Sequence, residues 1–287
     1  METLHPPSLR ARLLRTLRMM HHVRGWNRIA SRLVPEGTRG PFSIENEGIR
    51  FAGDLSSYID RQVYLFGQYE AAAIELFLGA IPRTRRRTVL DVGANVGTHS
   101  LAFARAFDRV HGFEPNPALW ASYRTNVELN GFTNVTLHPV GLADEDAELP
   151  FRTIDKNNFG LGTFLASEQY DLSLRVVGGC RVVRGSQFLQ KAGIDRIDAI
   201  KVDVQGYEPN VLRGLHEVLE RDRPFLWVEV GPGTLGQLDS AAALDSLVPY
   251  LVKPYRFAMR PRGPFHSTRL VEVRGPLEPG DYMFVPS

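Results

Sequence analysis

Residues 87–107, RTVLDVGANVGTHSLAFARAF, constrain the fold more than any other stretch of this chain. Thr88 to Val92 form a β-rich apolar run with one acid, Asp91, near its end, and an alanine-rich helical pattern follows within a few residues. Gly93 and Gly97 bracket the turn between them, where the lack of a Cβ lets the backbone approach a ligand. A strand, a glycine turn and a helix in that order predict an α/β unit with a small-molecule cradle. The spacing disfavours two common cradles. A dinucleotide fingerprint needs GxGxxG, but its middle position is Asn95 here, and Thr98-His99 stand where a P-loop carries lysine and a hydroxyl residue.

A second acid completes the pattern. Glu114 ends VHGFE, residues 110–114, on the next predicted strand, and a carboxylate about 20 residues downstream of such a turn can accept from both hydroxyls of a ribose. The turn and the acid together resemble the S-adenosylmethionine site of class I methyltransferases.

Composition sets limits without choosing a function. With 43% hydrophobic and 23% charged residues, the 287-residue chain is expected to pack one core domain with an N-terminal extension. The net charge is +2, and lysine occurs only at Lys156, Lys191, Lys201 and Lys253, the other cations being arginine. No stripe in the core region is dense enough to predict a nucleic-acid partner. A single cysteine, Cys180, leaves no internal disulfide and no metal knuckle, so a reducing, cytoplasmic location is expected. No apolar run reaches the ~20 residues of a membrane span, and no signal segment is recognisable.

Three regions are expected. Residues 1–35 hold a basic amphipathic helix over 8–20, with Leu9, Leu13, Leu17 and Met20 on one face among Arg10, Arg12, Arg15 and Arg18. Its alternatives are docking on the domain or a second subunit, making a homo-oligomer, or peripheral contact with a membrane. Residues 36–87 read as a cap, with a hairpin over 42–66 and a helix over 69–81. Tyr58, Tyr64, Phe66 and Tyr69 there could wall a pocket or pack the hairpin. Residues 88–287 form the main domain: strands at 88–92, 110–114, 135–141, 199–202 and 224–230 alternate with helices, the signature of a mostly parallel sheet covered on both faces. An insertion at 142–196, with short strands around 148–152 and 174–183, is the expected place for substrate contacts.

With DVGANVG (91–97), FEPNP (113–117), KVDVQGYE (201–208) and the strand ending in Glu229 quoted together, the chain resembles the FkbM family of S-adenosylmethionine-dependent methyltransferases. The resemblance covers most of residues 55–230 and departs at Gln205, where the family usually has Glu. It implies a seven-stranded class I (Rossmann-like) sheet and methyl transfer to a hydroxyl on a small molecule, a saccharide or glycan, or a polyketide-type product. A non-catalytic interaction module on the same fold and an NAD-dependent oxidoreductase are the alternatives.

Site expectations follow from strand ends meeting helix starts. Asp91, Gly93, Asn95 and Gly97 are expected to hold the methionine part of the cofactor and Glu114 its ribose. Leu142 is expected to pack on adenine, and Asp144 either to accept from the adenine amine or to be an ordinary loop acid. Asp203, Glu208 and Glu229 are the candidate catalytic acids, with helix capping the alternative for Glu208. A Mg²⁺ on Asp203 and Glu229 is the lesser alternative to a metal-free site. His99, opening the first helix, could reach the methyl site or pack beside the cofactor, and His138 reads as a core or rim residue; neither is assigned a role.

Overall fold

A computed structural model describes residues 32, 34–35, 37–153, 162–165, 175–238, 247–262 and 265–287. The predicted helix over 8–20 lies outside the described residues.

The main sheet has eight strands where seven are expected, in the order β13-β12-β14-β11-β10-β3-β4-β5. Its parallel heart is β3 (Thr88–Val92), β4 (Arg109–Phe113), β5 (Val135–His138), β10 (Ala199–Val202) and β11 (Phe225–Val230). Every residue of β3 and β10 is buried, which a near-continuous apolar run achieves only when both faces are covered. Alternate residues supply the two faces. Leu90, Val92, Ile200, Val202, Leu226 and Val228 meet α6 (Glu208–Gly214), α7 (His216–Asp222) and Leu189 of α5 (Gly185–Lys191) on one side. Val89, Val110, Ala199 and Trp227 meet Phe77 of α2 (Ala71–Ala80) and Phe103 of α3 (Thr98–Ala104) on the other.

Beyond β11 the sheet turns antiparallel. β14 (Gly280–Pro286) pairs with β11 on one edge and with β12 (Val252–Arg262) on the other, and β13 (Phe265–Glu272) closes the row. The predicted insertion forms a separate four-stranded sheet, β6 (Gly141–Ala143), β7 (Ala147–Thr153), β8 (Gly162–Thr163) and β9 (Arg175–Arg184), in the order β6-β9-β7-β8.

The expected hairpin over 42–66 is half hairpin and half helix. β1 (Pro41–Asn46) and β2 (Ile49–Asp54) pair antiparallel, but Tyr58–Phe66 is a helix, α1. Ser57 caps it by accepting from the Asp60 N–H, and Gly67 ends it in the left-handed conformation at φ 85°. Its buried Ile59 and Val63 join Phe51, Val96, Leu101 and Leu119 in a small core.

Asn126, on α4 (Pro117–Leu129), ties this cap to the main domain: its Oδ1 accepts from the Ala52 N–H at 2.9 Å and its Nδ2 donates to the Val96 carbonyl at 3.1 Å. Asn126→Ala leaves both backbone groups without that partner, and we expect a loss of about 2 kcal/mol in unfolding free energy, read by urea denaturation.

Candidate active site

The carboxyl ends of β3, β4 and β10 open into a cavity lined by Phe151 of the second sheet, by Phe164 just after β8, and by Ile59 and Tyr69 of the cap. Strand ends gather here because each parallel strand turns into a helix on the same edge of the sheet.

The turn after β3 has left-handed φ at Gly93 (80°), Asn95 (53°) and Gly97 (91°), which explains its spelling: glycine adopts that region freely and asparagine tolerates it. Gly93 also lies against the turn after β10, where a Cβ would stand 1.8 Å from the Asp203 carbonyl oxygen. Gly97 faces the Tyr123 ring and is not on the cavity wall.

Glu114 lies on the wall yet is 5% exposed. Its Oε2 accepts from the Asn95 N–H at 2.9 Å and its Oε1 from the Asn116 N–H at 2.8 Å, so two backbone groups fix the carboxylate and leave a lone pair on each oxygen. Burial pushes its pKa up to about 7 against those two hydrogen bonds.

Asp91 lies beneath the cavity wall, fully buried, with Oδ2 accepting from Ser100 Oγ at 2.6 Å. Its other oxygen is 3.9 Å from Lys201 Nζ, the cation opposite it on β10. Lys201 donates to Asp203 Oδ2 at 3.0 Å, and both line the cavity. Gln205 bridges the remaining acids, its Nε2 lying 2.9 Å from Asp203 Oδ1 and 2.7 Å from Glu229 Oε2. Burial alone would raise the Asp203 carboxyl, but the Lys201 ammonium, with hydrogen bonds from Glu229 and Gln205, holds it well below the carboxylate range. The Asp203 charge and burial drive Glu229 the other way, well above the carboxylate range.

Glu208 is fully buried and off the wall. It accepts from the Val204 and Gly206 N–H groups at 2.9 and 3.1 Å and from Thr234 Oγ1 at 2.6 Å, fixing the turn that presents Asp203. Leu142 is on the wall, whereas Asp144 is turned outward into an ion pair with Arg213 at 2.9 Å. His138 stacks on Phe113 and pairs with His111 at 3.1 Å, off the wall. Among the described residues no three His, Cys, Asp or Glu side chains converge as a metal set, and the Lys201 ammonium occupies the place beside Asp203 where a cation would stand.

Sequence reasoning left out a pair that the cap supplies. His99, buried on the wall, has Nε2 3.0 Å from Oε2 of Glu70, a residue held at φ 53° just before α2. Tyr69 packs its ring edge-on against His99, and burial, with Glu70 and Asp203 nearby, pushes its phenol far up. Of the four-residue aromatic stripe only Tyr69 reaches the cavity; Tyr64 packs on Phe42 and Tyr58 is exposed.

Residues 91–250 match the Methyltransferase FkbM domain. Methyltransferase 1 of Beauveria bassiana is 28% identical over 192 residues, 60% of this chain and 76% of that protein. The 2-O-methyltransferase NoeI of Sinorhizobium fredii is 30% identical over 173 residues, 55% of this chain and 70% of that protein. The hexuronic acid methyltransferase AglP of Haloferax volcanii is 28% identical over 145 residues, half of this chain and 55% of AglP. With the family match spanning more than half of its length around the cavity just described, this chain belongs to the FkbM family of S-adenosylmethionine-dependent methyltransferases.

Proposed function

We propose that this protein methylates a hydroxyl group on a saccharide, a glycan or a polyketide-type natural product. The reading rests above all on Glu114: a buried carboxylate at a strand end, fixed by two backbone N–H groups, with free lone pairs at a cavity wall. That donor set fits a ribose, and the Gly93 turn beside it gives the backbone room to hold the methionine part. Leu142 on the same wall suits a purine face. The names of NoeI and AglP, a 2-O- and a hexuronic acid methyltransferase, support a sugar hydroxyl.

Bound there, S-adenosylmethionine supplies a methyl group activated on a sulfonium, and alignment of the attacking oxygen carries much of the rate. Asp203 is placed to orient that hydroxyl as a hydrogen-bond acceptor. It is a poor proton acceptor, because Lys201, Gln205 and Glu229 already stabilise its charge. The imidazole of His99, on the cavity wall and braced by Glu70, suits the task of taking the proton. Asp91 and Glu208 act as positioning residues, the first on Lys201 and the glycine turn, the second on the turn of Asp203.

Calorimetric titration with S-adenosylhomocysteine and with NAD, then methyl transfer to a panel of neutral sugars, uronic acids and polyketide alcohols, tests the reading; NAD binding alone, or no methylated product, overturns it. His99→Gln is expected to lower kcat about 100-fold. Asp203→Asn is expected to lower kcat only about tenfold, the difference between orienting a hydroxyl and deprotonating it.

A further inference from the structure

The amino-terminal edge of the sheet, opposite the cavity, carries a second concavity of about 970 Å³. Arg83, Arg86, Arg87, Arg105 and Arg196 line it against one acid, Asp108, five positive charges to one negative. Each comes from a segment entering a strand or leaving a helix at that edge: the link between α2 and β3, the end of α3, and the turn before β10. Arg86 is clamped to the wall by the Leu78 and Ile81 carbonyls, and Arg105 donates to the Glu47 carbonyl at 2.7 Å. The guanidinium groups of Arg83, Arg87 and Arg196, all on exposed residues, have no hydrogen-bond or ion-pair partner among the described residues.

Arg85, Arg184, Arg213, Arg221 and Arg256 each pair with a carboxylate. Several unpaired cations in one concavity repel each other, and a bound anion relieves that cost. Guanidinium forks suit phosphate oxygens, and the wall contains no aromatic ring on which a base or sugar would stack.

We propose that this groove binds a multiply charged phosphate, free or carried on an ester, recognised through its charge by Arg83, Arg87, Arg105 and Arg196. β3 separates it from the catalytic cavity by roughly 17 Å, five residues at about 3.3 Å each, so it is distinct from the cofactor site.

The test uses the full chain with tripolyphosphate as probe, against sodium chloride at equal ionic strength. Tripolyphosphate is expected to raise the melting temperature and to give a saturable calorimetric isotherm. The triple variant Arg83→Ala, Arg87→Ala, Arg196→Ala is expected to bind it at least tenfold more weakly, to melt no lower than wild type without ligand, and to keep its affinity for S-adenosylhomocysteine. Sedimentation with phosphatidic acid vesicles, whose headgroup is a phosphomonoester, separates the sources: wild-type pelleting that the triple variant loses assigns an ester-borne phosphate, and tripolyphosphate binding without pelleting assigns a free one. No tripolyphosphate binding, equal binding by the triple variant, or single-stranded RNA binding that tripolyphosphate fails to displace overturns the proposal.

Discussion

Replacing Glu114 with alanine is expected to weaken S-adenosylhomocysteine binding about 100-fold, the loss of two charge-assisted hydrogen bonds to a ribose. The same change leaves the Asn95 and Asn116 N–H groups without their acceptor at a buried site, so part of the loss will come from a slackened turn. Glu114→Gln separates the two effects. Its amide keeps one acceptor oxygen but brings an NH₂ against one of the two N–H donors, so binding should fall while the fold persists. The pH dependence carries a sign. A carboxyl raised to about 7 is ionised above that pH and protonated below it, and only the ionised form accepts from both hydroxyls. Cofactor affinity should therefore rise from pH 6 to pH 8 in the wild type and stay flat in Glu114→Gln. A wild-type isotherm unchanged across that window, or an alanine variant that binds normally, would remove Glu114 from the site.

The second large effect is expected from Gly93→Ala. Its Cβ would arrive 1.8 Å from the Asp203 carbonyl oxygen, and its φ of 80° is one that alanine adopts at a cost. The obstacle is main chain, so the turns after β3 and β10 must part. We expect a cost of about 3 kcal/mol or more, a fall of about 6 °C in the melting temperature, and a larger proportional loss of kcat, since the displaced turn carries Asp203. Gly214→Ala is the control: its Cβ would meet the Ala143 carbonyl at 1.7 Å, away from the cavity wall, so stability should suffer with kcat less affected. Wild-type melting and turnover in Gly93→Ala would show that the two turns do not press on each other.

What could be read in the sequence was local. The glycine turn, the acid ending the next strand and the alternation of apolar runs with helical patterns are properties of short windows, and they place the parallel heart of the sheet. Tyr58–Phe66 was misread as strand because its aromatic and β-branched residues favour strands, although Ser57 and Gly67 carried the start and stop signals of a helix. The antiparallel end of the sheet was illegible for another reason: β14 slots between β11 and β12, a pairing with β11 across about 50 residues that no local pattern encodes. The site divides in the same way. Glu70 and His99 are 29 residues apart and meet only because the cap folds over α3. Lys201 did carry a signal, a lone cation in the buried strand AIKV, which demands acids nearby; strand register then supplies Asp91.

The central seat of β14 also has a kinetic meaning. β12 and β13 pair with each other as a hairpin, but their backbone hydrogen bonds to the rest of the sheet run through residues 280–286. During translation the ribosome must pass residue 286, and the tunnel must release it, before that hairpin can join. Until then β11 presents a bare edge to its surroundings, and this nascent species is where chaperone demand and misassembly should concentrate.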